Sequence, residues 1–157
     1  MGKEIERKYL VKSTEYRQNA IGSKYMQGYL STNCESVVRV RICEERGYIT
    51  IKSKAVGLTR SEYEYEIPYK DALELLQTLC IKPIIEKTRY RYPYAGHIWE
   101  IDEFYGENEG LTIAEAELKN ENEELILPDW IGDEVTLDYR YQNSNLAKNP
   151  YKNWSCI

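Results

Sequence analysis

Alternation of charged and uncharged residues, sustained along most of the chain, constrains its fold more than any other feature. Successive side chains of a β-strand point to opposite faces, so a period of two predicts strands. In the first segment Glu4, Glu6 and Lys8 share one face, while Ile5, Arg7 and Tyr9 take the other. Segments 24–31, 38–42, 48–54, 62–67, 86–92, 97–105 and 111–119 complete a set of eight predicted strands. Fifteen Tyr against three Trp and one Phe agree with this, because Tyr favours strands and carries a polar tip. Helices are few. Leu73, Leu76, Leu79 and Cys80 recur near helical spacing after Pro68 and predict a helix over 71–79. A short terminal helix is predicted over 143–148, with Asn143 or Ser144 as its cap, and an early one over 13–19 with Ser13 as its cap. Residues 120–133 are acidic and read as a loop with a helical turn.

On nearly every predicted strand one face is charged, and the charges are sorted by strand. Lys8, Arg39, Arg41, Lys52, Lys54, Lys87, Arg89 and Arg91 supply eight bases. Glu4, Glu6, Glu62, Glu64, Glu66, Glu100, Asp102, Glu115 and Glu117 supply nine acids. Two architectures accommodate this. An open antiparallel sheet would turn its charged face to water. A closed barrel would turn it inward, cover the apolar face with helices, and leave an interior about wide enough for one small ligand. Segregated basic and acidic strands suit a multivalent anion together with a metal ion. Glu115 and Glu117 point the same way on one predicted strand, and Glu4 and Glu6 on another, so without metal such like charges repel and some of their pKa values should be raised. Replacing Glu115 or Glu117 by Gln is expected to relieve that repulsion.

The remaining composition bounds the problem. A chain of 157 residues suggests one domain spanning 1–157. With 42% hydrophobic and 30% charged residues it is neither disordered nor collagen-like. A net charge of −5 does not suggest a nucleic-acid or membrane-surface binder, and no apolar run approaches the length of a membrane span. Cys34, Cys43, Cys80 and Cys156 lack metal-site spacing and His97 is the single histidine, so four reduced thiols and no structural zinc are expected. The charged start lacks an apolar signal core and a myristoylation pattern, which predicts a cytoplasmic protein. His97 is expected on the surface.

The segment Glu4-Ile5-Glu6-Arg7-Lys8 resembles the Glu-x-Glu-x-Lys signature of the CYTH superfamily, the triphosphate tunnel metalloenzymes. The order that follows supports the resemblance: Arg39 and Arg41, Lys52 and Lys54, Glu62 and Glu64, Lys87 and Arg89, Asp102, then Glu115 and Glu117. The tail from Glu134 to Ala147 looks like the end of short bacterial members, and the likeness runs over about residues 3–150. It implies a mainly β (α+β) fold: a closed eight-stranded antiparallel barrel forming a tunnel, with a few helices packed outside. It also implies roles. Lys8, Arg39, Arg41, Lys52, Lys54, Lys87 and Arg89 would grip the phosphates, Arg by bidentate contacts and Lys as a point charge. Glu4, Glu6, Glu115 and Glu117 would hold Mg²⁺ or Mn²⁺, carboxylate oxygens being suited to hard cations, with Asp102 joining them or orienting a basic neighbour. Lys8, Glu115, Glu117 and Tyr29 are the expected catalytic residues, Tyr29 serving equally well as a core or rim aromatic. Glu62 and Glu64 would balance the bases, Arg91 at its strand end serves equally well as a phosphate ligand or a surface residue, and Glu66 and Glu100 would be rim or structural residues.

Metal-dependent hydrolysis of inorganic triphosphate to pyrophosphate and phosphate is the function this resemblance favours, with a small-molecule substrate and no nucleic-acid or membrane partner. The chain is short, with little left over for a nucleoside pocket. Class IV adenylate cyclase uses the same tunnel, but the His-Phe pair that such cyclases carry after the first strand is missing here. Thiamine or nucleoside triphosphatase and a non-catalytic polyphosphate sensor are the other readings. The full carboxylate set argues against the sensor, since a simple anion binder has no need of it.

Overall fold

The computed structural model describes residues 2–32 and 35–154. Its frame is an antiparallel sheet of nine strands: β1 (Gly2–Val11), β2 (Ile21–Thr32), β3 (Ser36–Cys43), β4 (Arg46–Ser53), β5 (Thr59–Ile67), β6 (Ile85–Tyr94), β7 (His97–Phe104), β8 (Thr112–Glu117) and β9 (Ile131–Glu134). Their spatial order is β5-β4-β3-β2-β6-β7-β8-β1-β9, and an additional β5–β1 pairing closes the first eight into a barrel. Closure depends on β1 changing partners. Its residues 2–5 pair with β5, its residues 6–10 pair with β8 on the other edge, and Tyr9 and Val11 pair with β9 where β5 no longer reaches.

All eight predicted strands are present, and the differences lie at their ends. β1 and β2 begin earlier than their alternation suggested, β4 stops at Ser53, and β8 is shorter than 111–119. The ninth strand is a correction. The segment read as an acidic loop with a helical turn contributes Ile131–Glu134, which has no alternation of its own and forms because the exposed edge of β1 needs a partner. The early helix is a 3₁₀ turn at Glu15–Asn19; Ser13 Oγ accepts a long hydrogen bond from the Glu15 amide at 3.5 Å. The two α-helices, α1 (Tyr69–Thr78) and α2 (Asn143–Lys148), fall where helical spacing placed them. Neither Asn143 nor Ser144 caps α2; the preceding residue is Gln142, without a side-chain cap. No described helix is long and apolar enough to cross a membrane.

The two faces of the barrel wall take opposite environments. Outward, Tyr9, Trp99, Ile101, Ala114 and Ala116 are covered by Tyr16, Trp130 and Ile131. Val40 and Ile42 are covered by Ala72, Leu76 and Cys80 of α1 and its C-terminal flank. The helix lies so close that a Cβ on Gly47 would stand 2.6 Å from that of Ala72. Inward, each row of side chains grades from charged to apolar: Glu117, Glu115, Ile113 on β8, and Arg91, Arg89, Lys87, Ile85 on β6. The apolar end is filled by Tyr29, Val37, Phe104 and Ile113 packed against Tyr141, Leu146 and Ala147. The interior is therefore a charged tunnel above an apolar floor. Cys43 and Cys80 are free thiols; Cys34 and Cys156 lie outside the described residues. His97 is half-buried and paired with Glu123 at 2.9 Å.

Candidate active site

The tunnel encloses a cavity of about 190 Å³ lined by seven Lys or Arg and seven Glu side chains. Twelve residues singled out from the sequence face it: Glu4, Glu6, Lys8, Tyr29, Arg39, Arg41, Lys52, Glu62, Glu64, Arg89, Glu115 and Glu117. They arrive from seven strands because inward positions recur every second residue and the antiparallel register aligns them, Glu6 opposite Glu117 and Lys8 opposite Glu115. Glu100, expected as a rim or structural residue, also lines it, as does Arg91.

Three expected ligands stand apart. Lys54 is exposed, one residue past the end of β4, so its side chain is not held in the inward row. Lys87 and Asp102 lie below the tunnel, each 1% exposed. Both Asp102 oxygens are taken: Arg89 Nε donates to Oδ1 at 2.7 Å, and Arg89 Nη2 and Lys87 Nζ donate to Oδ2 at 2.9 and 2.8 Å. Asp102 thus orients two bases below the tunnel, the alternative to a metal-ligand role that its charge also allowed. Arg60, Tyr25 and Gln142 with its neighbours Asn143 and Ser144 line the cavity without having been singled out. Arg60 precedes Glu62 on the same face, but the alternation was read from Glu62 onward. The Gln142 segment has no periodic signal at all.

The bases form a crowded group. Arg39 and Arg41 both donate to Glu64 Oε2, at 3.3 and 3.2 Å, and Thr50 donates to the same oxygen at 2.7 Å. Arg41 and Arg89 both stack on Tyr25, each 5.2 Å from the ring centre. Burial and the neighbouring Arg39 and Arg89 press the Arg41 pKa below its ordinary value, the mark of a positive cluster short of counter-charge. Nε of Arg39 and of Arg41 are buried and find no acceptor among the described residues. An entering polyanion supplies the missing charge.

The carboxylates share the cavity. Lys52 Nζ lies 3.1 Å from both Glu4 oxygens and 3.3 Å from Glu62. Burial, then the adjacent Glu115, push the Glu6 carboxyl well above the usual range. Glu115 is also buried, but Lys8 and Arg89 outweigh that and hold it down at about 2. Burial works against the Lys8 ammonium, yet Glu115, Glu6 and Glu4 overcome it and raise its pKa. Glu6 and Glu115 are hydrogen-bonded to each other, and of the two it is Glu6 whose charge burial and the neighbouring Glu115 disfavour. The expected self-repulsion is present, but it falls on Glu6, Glu62 and Glu117, not on Glu115. Among the described residues no three such groups are gathered ready to enclose a metal ion, because Glu4 is drawn to Lys52 and Glu6 leans toward Lys8 at 4.0 Å. The donor set still fits a hard divalent cation: four carboxylates line one cavity, and a cation there would offset the mutual repulsion that raises the Glu6 pKa.

Lys87 gives a test of the floor. Burial pulls its pKa down to about 7 although Asp102 opposes this. Unfolded, a lysine titrates near 10.4. Between these values the unfolded chain binds the extra proton, so the Lys87 contribution to stability rises with pH, by up to about 1.4 kcal/mol per unit. In EDTA, the stability of wild type relative to Lys87→Met is expected to climb between pH 7.5 and 9.5 in urea melts. A flat difference would show that Lys87 stays charged.

Residues 2–151 match the family described as CYTH domain. The chain is 54% identical over 154 residues to an inorganic triphosphatase of Acetivibrio thermocellus, covering 98% of this chain and 99% of that one. It is 37% identical over 149 residues to an inorganic triphosphatase of Nitrosomonas europaea, covering 92% and 96%. A crystal structure of an inorganic triphosphatase superposes with a TM-score of 0.68 at 34% identity, over 92% and 93% of the two chains. A protein of Pyrococcus horikoshii shares the fold at 19% identity, with a TM-score of 0.60 over 76% of this chain and 80% of its own.

Proposed function

Because this chain belongs to the CYTH domain family, we propose that it is a metal-dependent enzyme that hydrolyses inorganic triphosphate to pyrophosphate and phosphate inside its tunnel. The observation that carries this reading is the closed cavity lined together by seven bases and seven glutamates. The relative at 54% identity, named an inorganic triphosphatase, supports it along nearly the whole chain.

Hydrolysis forms a bond between a water oxygen and a terminal phosphorus and breaks the bridging P–O bond, releasing phosphate and pyrophosphate. Arg39, Arg41, Lys52 and Arg89 are placed to grip phosphate oxygens and to neutralise charge on the leaving pyrophosphate. Lys8, held charged by Glu115, Glu6 and Glu4, is the base set deepest among the carboxylates. Glu62 and Glu64 keep the empty bases apart, and Tyr29 walls the floor side of the cavity. Glu4, Glu6, Glu115 and Glu117 would hold the divalent ion, Mg²⁺ or Mn²⁺, whose chemistry is to polarise phosphate oxygens and water. Glu117 lines the same cavity and has its pKa raised by partial burial, Glu4 and Glu100. With the ion bound, a carboxylate oxygen of this set that the ion leaves free is suited to receive the proton of the attacking water.

A substrate panel with Mg²⁺ and with Mn²⁺ tests the reading. Triphosphate should turn over at least about tenfold faster than ATP, since a nucleoside adds bulk without adding charge for the tunnel to bind. Pyrophosphate should be inert. ATP outpacing triphosphate, or release of cyclic AMP, would replace the triphosphatase with a nucleotide enzyme using the same tunnel.

A further inference from the structure

Beside the tunnel lies a second cavity of about 440 Å³, roofed by α2 and walled by the ends of β2, β3 and β4. It borders the tunnel, Val37, Arg60, Gln142 and Ser144 lining both spaces. Among the described residues three bases face it, Lys54, Arg60 and Lys148, and no Asp or Glu does. The contrast with the tunnel is one of pairing. Lys8, Arg39, Arg41, Lys52, Arg89 and Arg91 each sit within 4 Å of a carboxylate. Arg60, half-buried at the junction, has its Nε on the Ser53 carbonyl at 3.1 Å. Neither it nor Lys54 nor Lys148 forms an ion pair among the described residues. A cleft with one sign of charge and low-dielectric walls concentrates counter-ions. Here that charge borders a space already built for phosphate.

We propose that this annex is a second phosphate subsite, outside the hydrolytic tunnel and bordering it at Arg60, in which Lys54, Arg60 and Lys148 bind a phosphoryl group. Its phosphate comes from one of two sources: a unit beyond the third in a longer linear chain, or the orthophosphate or pyrophosphate leaving after hydrolysis. The identity of the anion rests on the triphosphatase reading; the presence of an oxyanion subsite rests on the annex alone. It also gives Lys54 a place: the sequence put it among the phosphate ligands and the structure puts it outside the tunnel.

The test uses a Lys54→Ala/Lys148→Ala double variant, both side chains being exposed and outside the tunnel, with Arg60→Met beside it. First, orthophosphate is titrated in EDTA and followed by its phosphorus resonance. Wild type should bind it, and the double variant should bind about tenfold more weakly, in line with the loss of charge-assisted contacts. Second, with metal present, the kcat/KM ratio of inorganic tetraphosphate to triphosphate and the inhibition constants of the two products are compared. A ratio that falls about fivefold or more in the variant assigns the annex to the chain tail, and an inhibition constant that rises about tenfold assigns it to product. Orthophosphate affinity within twofold of wild type in both variants, or no binding to wild type, overturns the proposal. Variant-sensitive binding without triphosphate turnover would instead remove the triphosphatase reading and leave the subsite.

Discussion

Glu115→Gln is expected to lower kcat/KM for triphosphate by about 100-fold or more, a loss on the scale of the charge stabilisation a divalent ion supplies. The side chain keeps its size but loses the charge that Lys8 and Arg89 stabilise and that hydrogen-bonds with Glu6. In EDTA the variant should also be less stable, by about 1–3 kcal/mol, because two buried bases lose a charged partner. Counting like charges alone predicts the reverse, a gain from relieved repulsion. The geometry overturns that count, since Glu115 is the carboxylate that the bases hold ionised. Glu6→Gln, which removes a carboxyl whose charge burial and Glu115 already disfavour, should leave metal-free stability within about 1 kcal/mol while still losing metal-dependent turnover. Rate against Mg²⁺ or Mn²⁺ concentration, beside urea melts in EDTA, reads both effects. A Glu115→Gln enzyme with near-normal rate and metal dependence would take this residue out of the site.

Asp102→Asn should be the most destabilising single change in the tunnel floor, by about 3 kcal/mol or more, since it leaves a buried Arg89 with one half-exposed partner, Glu100. Arg89 and Lys87, in that order after the opposing effect of burial, hold the Asp102 carboxyl below its ordinary range. Its folded pKa is thus depressed, so its contribution to stability is complete above the unfolded value near 3.9 and fades as pH falls through the folded one. The part of the gap between wild type and Asp102→Asn that Asp102 itself supplies should therefore fade below about pH 4. Asp102 is a positioning residue, and the variant that folds should show a raised KM as Arg89 loses its fixed geometry. A variant with wild-type stability and KM would remove the floor triad from the account of the site.

Much of this molecule was written in the period of its strands. Alternation alone determined which side chains share a face, and thus that Glu4, Glu6 and Lys8, or Arg39 and Arg41, point together. It also placed the apolar partners, Tyr9, Trp99 or Ile42, on the opposite side. Alternation left open whether the charged face met water or enclosed a tunnel, because a local pattern is the same in an open and a closed sheet. Closure was decided by contacts distant in sequence: β1 passing from β5 to β9, and a ninth strand with no pattern of its own. The same long-range geometry sorted the site. Strand tilt and stagger in a barrel set how far along each inward row a residue sits. That depth separates Glu115 in the tunnel from Asp102 and Lys87 beneath it. It also carries Arg60 in at the start of β5 and leaves Lys54 out beyond the end of β4. Which face a side chain takes is fixed by its neighbours in the chain, whereas its depth in the barrel follows from the register of strands more than a hundred residues away.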